Sequence, residues 1–278
     1  MTRTEILPIS VNICTYNEEN IIKDCLKSVI KNNPQEIIVV DGGSTDATVQ
    51  ISESMGAKVL ISNKRGLSSQ RQYGIENSNQ PFIAIIDADD NLEKKFLQIL
   101  YSELIKYNYD ALLGREIAFE PLTYWERAMG CLNNNITYTD KPIDTNMVGR
   151  PALYKKESLL TCGFDSFFDG AGCEDADLSI RMEKAGFRQG IGTGLTRRKQ
   201  SSSTSDIIRK IIKYGRGDAR IVKKYPHKLK SILYHQLVHY PIIRPYKILK
   251  SFNFIYIPFY FMMGLGRFIS MIFEYVRL

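Results

Sequence analysis

"PFIAIIDADDNLEKKF", residues 81–96, carries no polar side chain from Phe82 to Ile86 and then sets Asp87, Asp89 and Asp90 within four positions. An apolar run of this length, closed by acids, predicts a buried strand that delivers carboxylates to one edge of a sheet. Like charges crowded together repel, so these carboxylates must be hydrated, hydrogen-bonded or bound to a cation. Two readings fit the residues alone. One is a strand end followed by acids that cap the next helix; the other is a divalent-cation site.

The same grammar extends to both sides. "PISVNICTYN" (8–17) reads as a buried strand and "EENIIKDCLKSVIKNN" as a helix. Glu36–Val40 is a second strand, followed by the turn "DGGSTD" and a helix from about Thr45, with Asp46 placed to meet the first exposed amides. "AKVLISN" is a third strand, "SSQRQYGIENSN" a helix, "NLEKKFLQILYSELIKY" a helix and "YDALLGREIAF" a fifth strand. Strands alternating with helices at this spacing imply βαβ units and a mainly parallel sheet. Such sheets bind ligands beyond the carboxyl ends of their strands, where the turns "TYNEE", "DGGSTD" and "DADD" should gather.

Residues 116–172 read as loops and short elements, and "CEDADLSIRMEKAGF" opens a further helix. From Asp206 the pattern changes, which divides the chain into 1–205 and a helical extension, 206–278. The extension holds 14 Lys/Arg against 3 Asp/Glu, a balance of +11, whereas residues 1–205 balance at −4. Ile207, Ile208, Ile211 and Ile212 form one stripe, and residues 251–266 are free of charge, interrupted by Pro258 and closed by Arg267. That run falls short of the ~20 apolar residues a spanning helix needs. A buried helical hairpin and an in-plane or re-entrant membrane contact both fit; the coincidence of apolar and basic character favours the membrane.

Several classes are disfavoured. The first twenty residues lack an apolar stretch of signal-peptide length, and five cysteines without a CxxC pair read as reduced thiols of the cytoplasm. "DGGSTD" lacks the GK[ST] of a nucleotide-hydrolysing loop. His235 and His239 share a metal-pair spacing but have no acidic or Cys partner nearby, so packing is expected there. The tail's basic residues are interleaved with apolar stripes, so nucleic acid is not an expected partner.

"VNICTYNEEN", "IIVVDGGSTDAT", "FIAIIDADD", "GCEDADLSIRMEKAG" and "IIKYGRG" occur in an order that resembles the family 2 glycosyltransferases of the GT-A fold. The resemblance covers about residues 8–220. It implies an inverting transferase that uses a nucleotide-diphosphate sugar, with a UDP- or GDP-sugar as donor. Asp87 and Asp89 match the family's DxD motif, which holds Mg²⁺ or Mn²⁺ against the donor phosphates. Asp175 matches the base that takes the acceptor's proton, with Glu174 in support. Thr15, Tyr16 and Glu18 match residues lining base and ribose, and Asp41 a carboxylate facing a uracil-type imino group. Arg71 matches a position where relatives often carry a basic residue near the phosphates, and Arg216, in "YGRG", could contact the diphosphate or an acceptor phosphate; a solvated surface charge is the alternative for both.

There are two departures. Gly42 stands where many members have a second Asp, and "GLTRRKQSSSTSD" lacks a His that relatives often carry there. Arg197, Arg198 or Lys199 could supply positive charge to the diphosphate instead. With the basic tail, the resemblance implies a peripheral enzyme on the inner face of the cell membrane, acting on a lipid-linked or saccharide acceptor, and a homo-oligomer is compatible with it. The alternatives are a transferase with a soluble or protein acceptor, or an inactive nucleotide-sugar-binding scaffold.

Overall fold

The computed structural model describes residues 6–118, 123–133, 139–198, 202–249 and 254–278. In chain order the elements are β1 (Leu7–Thr15), α1 (Ile22–Ile30), β2 (Pro34–Asp41), α2 (Thr48–Ser54), β3 (Lys58–Ile61), α3 (Leu67–Glu76) and β4 (Phe82–Asp87). These are followed by β5 (Asp90–Leu92), α4 (Phe96–Lys106), β6 (Ala111–Ala118), α5 (Tyr124–Asn133), β7 (Ile143–Asp144), β8 (Ala152–Lys155) and α6 (Lys156–Cys162). The chain closes with α7 (Glu174–Lys184), β9 (Gln189–Arg198), α8 (Thr204–Lys224), α9 (Leu229–Tyr234), α10 (Arg244–Leu249) and α11 (Ile257–Arg277).

These elements form two compact units. One comprises residues up to Glu120, Asn133–Ser166 and Asp175–Lys199; the other comprises Pro121–Leu132, Phe167–Glu174 and Gln200–Leu278. The helical unit thus takes in two segments from well before residue 206.

The first unit is built on a sheet in the order β3-β2-β1-β4-β8-β6-β9-β5, with β7 paired to β9. β1 through β4 run parallel, as do β6 and β9, and the short strands β8, β5 and β7 are antiparallel to their neighbours. β4 has no polar residue before Asp87 because both of its faces are covered. Ala84 and Ile86 pack with Val11, Ile13 and Leu97 on one side, while Ile83 and Ile85 pack with Ile75, Tyr154 and Leu178 on the other. In register, Thr15 lies beside Asp41 and Cys14 beside Asp87, so the first two turns and the acids share one sheet edge.

Three expectations change. Residues 90–92 form β5 rather than the start of a helix, and α4 begins only at Phe96. The irregular 116–172 segment contributes β8, inserted between β4 and β6. β9 is a ten-residue strand hidden by glycine: a Cβ at Gly192 or Gly194 would collide with Leu100 or press on Phe96, so small residues let α4 lie flat on the strand.

In the helical unit, Ile207 and Ile211 of α8 pack with Ala128, Phe259, Tyr260 and Met263. The glycines of "YGRG" are sites of close approach. A Cβ at Gly215 would meet Ser270, and one at Gly217 would meet the backbone of Gly172. Pro258 lies in the first turn of α11, where a missing N–H costs nothing, so it starts the helix rather than interrupting it. Arg267 does not close the apolar run either. Its charge is held by Asp218 at 2.8 and 2.9 Å, and the helix continues, so that Phe254–Arg277 is long and apolar enough to cross a membrane by length and composition. One face of α11 is buried, while Phe261, Leu265, Phe273 (74% exposed) and Val276 (81% exposed) form an uncovered apolar face.

Candidate active site

The end of β1 and the start of the β2–α2 turn are knitted together. Asn17, with a left-handed backbone (φ 54°), receives the Thr45 N–H at Oδ1 and donates its own N–H to Ser44 Oγ. Glu18 N–H donates to Thr48 Oγ1 at 2.8 Å. The Asp41 carboxylate is fully buried. It accepts from the N–H groups of Gly43 and Ser44 and from the hydroxyls of Thr15 and Ser44. Four bonds fill the acceptor sites of a carboxylate. Asp41 therefore organises the loop, and Thr15 is engaged with it. Tyr16 remains at the surface, with the Arg65 guanidinium 3.7 Å above its ring; sequence reasoning missed Arg65.

The absent second Asp has a local cause. Gln70 donates to the carbonyls of Thr15 and Val40, bridging β1 and β2, and its amide lies 3.1 Å from where a Cβ on Gly42 would stand.

At the end of β4 the acids meet three guanidinium groups. Arg71 (2% exposed) donates to Asp87 Oδ1 at 3.0 Å, Arg198 (12% exposed) reaches Oδ2 at 3.3 Å, and Arg150 (23% exposed) also binds Oδ2. Burial opposes ionisation of Asp87, but Arg150, Arg71 and Arg198 hold its carboxyl well below the usual range. Arg71 is itself stacked on Phe164. Arg198 extends to Asp90 at 2.8 Å, Asp89 at 3.4 Å and Glu116 at 3.7 Å. Asp90 faces Arg198 across the β5–β9 pairing and accepts the Asp87 N–H, so it braces the strand end rather than capping a helix. Burial and then the charges of Asp87 and Asp89, against Arg198, push the Asp90 carboxyl up to about 7. Arg197 turns outward to Glu93, so Arg198 is the cation that joins the site. Lys199 lies outside the described residues.

Asp175, in the first turn of α7, accepts from Arg150 at 3.2 Å. Glu174 is buried but groups with the helical unit, as does Arg216, which faces Glu274 at 3.8 Å on α11. Arg150, from the loop before β8, was missed by sequence reasoning because nothing periodic marks "NMVGRP"; its lone signal was a basic residue among small ones.

The donor set fits a divalent cation in one respect only. The described residues contain no group of three or more His, Cys, Asp or Glu able to hold a metal. Asp87 is engaged by Arg71, Arg150 and Arg198. Asp89 (42% exposed) fits a hard cation that takes few protein ligands and completes its shell with phosphate oxygens and water. Burial, then the charges of Asp89, Asp87 and Asp46, push the Glu18 carboxyl up to about 7.

Residues 10–162 match the family described as glycosyl transferase family 2. The chain belongs to glycosyltransferase family 2. Similar sequences include the glycosyltransferase GlyA of Streptococcus pneumoniae (32% identical over 118 residues, 40% of this chain and 17% of that protein). The lipopolysaccharide core biosynthesis glycosyltransferase LpsC of Rhizobium meliloti is 32% identical over 120 residues, 41% of this chain and 43% of that protein. A cholesterol galactosyltransferase of Borreliella burgdorferi is 30% identical over 116 residues, 38% and 32% of the two chains. The matched stretch thus spans less than half of each of these relatives. Among solved structures, S. aureus TarS 1–349 in complex with UDP-GlcNAc superposes with a TM-score of 0.55 at 15% identity, covering 97% of this chain and 89% of that one. This likeness shows the fold, the GT-A arrangement expected of the family.

Proposed function

We propose that this family 2 member is an inverting glycosyltransferase that moves a sugar from a nucleotide-diphosphate donor to an acceptor hydroxyl or phosphate. The observation that carries the reading is the cluster of Arg71, Arg150 and Arg198 at the carboxyl edge of the sheet, linked through Arg150 to Asp175. A departing diphosphate develops negative charge, and preformed guanidinium donors stabilise it without reorganising at the moment of reaction. Asp175 accepts the proton of an attacking hydroxyl. Tyr16 and Arg65 offer a stacking surface to the nucleoside, while Thr15 and Asp41 hold the loop that presents them. Asp89 would hold Mg²⁺ or Mn²⁺, which when bound supplies further neutralisation of the leaving group.

A lipid-linked acceptor, in cell-envelope polysaccharide or glycan assembly, fits the helical unit. Its uncovered apolar face on α11 and its net positive charge suit an anionic membrane surface. The names of LpsC and the cholesterol galactosyltransferase place two relatives on lipid or lipopolysaccharide acceptors. The test is release of UDP or GDP from a panel of nucleotide-sugars, with and without Mn²⁺ and polyprenyl-phosphate vesicles. Donor turnover that vesicles accelerate is expected, and no turnover of any donor refutes the reading.

A further inference from the structure

Arg150 is shared between the two halves of the chemistry. Its Nε binds Asp87, at the end of β4, and its Nη1 lies 3.2 Å from Asp175 Oδ2, at the start of α7. The loop that carries it is tied to α7. Val148 N–H donates to Ser179 Oγ at 2.9 Å, Ser179 Oγ donates back to the Val148 carbonyl, and Tyr154 donates to the Gly149 carbonyl at 3.2 Å. Gly149 passes so close that a Cβ there would lie 3.3 Å from Asp175 Oδ2. The base is thus held beside a fixed backbone with a guanidinium on one of its oxygens. Its other oxygen receives the Ala176 N–H at 2.9 Å.

We propose that Arg150 is a positioning residue that couples donor binding to release of the base: in the free protein it holds Asp175, and a diphosphate draws it away. Of the three guanidiniums on Asp87, Arg150 is the most exposed, whereas Arg71 and Arg198 are fixed by burial. A diphosphate carries more negative charge than one carboxylate and presents paired oxygens to a guanidinium fork, so it competes for Arg150 at the place where Arg71 and Arg198 already attract it. Once Arg150 turns to the diphosphate, its positive charge moves away from Asp175 Oδ2, and the carboxylate becomes a stronger proton acceptor. Donor binding thus favours transfer of the acceptor's proton as its oxygen attacks. This inference rests on the reading of Asp175 as the base.

The test is a double-mutant cycle read by calorimetry, with inorganic pyrophosphate as probe and EDTA present so that no metal intervenes. Asp175→Asn removes one of the two carboxylates that hold Arg150 and is expected to tighten pyrophosphate about tenfold; Arg150→Gln is expected to weaken it about tenfold. In the Arg150→Gln background, Asp175→Asn should gain less than about twofold, because the competition it relieves has gone. An equal gain in both backgrounds overturns the proposal, as does an absence of pyrophosphate binding to the wild type and Asp175→Asn alike. Where Arg150→Gln fails to fold by circular dichroism, Arg150→Lys replaces it. Lysine keeps the charge but lacks a planar fork to bridge two carboxylates, so the gain from Asp175→Asn should again collapse. Full transfer activity in Asp175→Asn would remove the base assignment while leaving the pyrophosphate coupling measurable, so the two failures are distinguishable.

Discussion

Replacing Arg198 by Met tests the electrostatic logic of the site through stability. Arg198 is 12% exposed and touches Asp87 at 3.3 Å, Asp90 at 2.8 Å and Asp89 at 3.4 Å. Asp87 keeps Arg71 and Arg150 after the change, and Asp89 reaches solvent, so most of the loss falls on Asp90. Asp90 is buried and would retain the Asp87 N–H as its described donor. Where Asp90 is ionised, above about pH 7, removing its partner costs up to about 3–5 kcal/mol, because the charge is left uncompensated; where it is neutral the cost is smaller. For a chain of this size the full cost corresponds to a fall of roughly 6–15 °C in Tm. The deficit should depend on pH. The Asp90 carboxyl already sits up at about 7, so its neutral form stabilises the fold at low pH and that contribution is lost as pH rises through about 7. Without Arg198 the carboxyl rises further, and the gap between variant and wild type widens from pH 5 to pH 8. Urea titrations at both pH values measure it. A deficit below about 1 kcal/mol at pH 8, or one equal at both pH values, would refute the assignment of Arg198 as the counter-charge of Asp90.

Three further outcomes are expected. Asp175→Asn should lower kcat about 10²–10⁴-fold; near-wild-type kcat would remove the base role. Gly42→Asp, which restores the common "DD" pair, should cost about 1–3 kcal/mol in chemical denaturation because its Cβ meets the Gln70 amide, which bridges the Thr15 and Val40 carbonyls; an unchanged urea midpoint would refute this. Glu18 is half-buried, and burial with the neighbouring acids raises its carboxyl to about 7, so it is neutral below that pH and anionic above it. Metal-free UDP affinity should therefore fall as pH rises through 7, and Glu18→Gln should flatten the profile; identical profiles for the two proteins would exclude Glu18 from the site.

Much of the frame was legible because local pattern and tertiary demand agree in β1, β2 and β4. β4 is an unbroken apolar run closed by acids, and β1 and β2 are predominantly apolar strands closed by polar residues, as burial on both faces requires. β9 was not legible, since its role is to accept α4 at close range and glycine does that without any strand-like pattern. β8 is four residues long, too short for periodicity to register. Arg150 was missed for a related reason: a loop residue's partners are set by where the fold puts the loop, and "NMVGRP" carries no trace of Asp87 or Asp175. The "YGRG" segment shows the converse. It reads as a phosphate contact or a surface charge, and only the fold shows that its glycines are used for packing and that Arg216 lies 3.8 Å from Glu274.

By itself, the sequence determined that acids would emerge from an apolar strand at the edge of a parallel sheet, because only strands buried on both faces read as continuous apolar runs. It also determined that the excess positive charge would lie in the last quarter of the chain. The tertiary structure decided what each acid does. Asp87 is claimed by three guanidiniums from three distant segments, Asp90 is paired across strands to Arg198, and Asp89 is left nearest to solvent. Adjacent carboxylates look alike in sequence, and they differ in the fold because Coulomb interactions act through space between groups 3 Å apart, however far apart those groups lie along the chain.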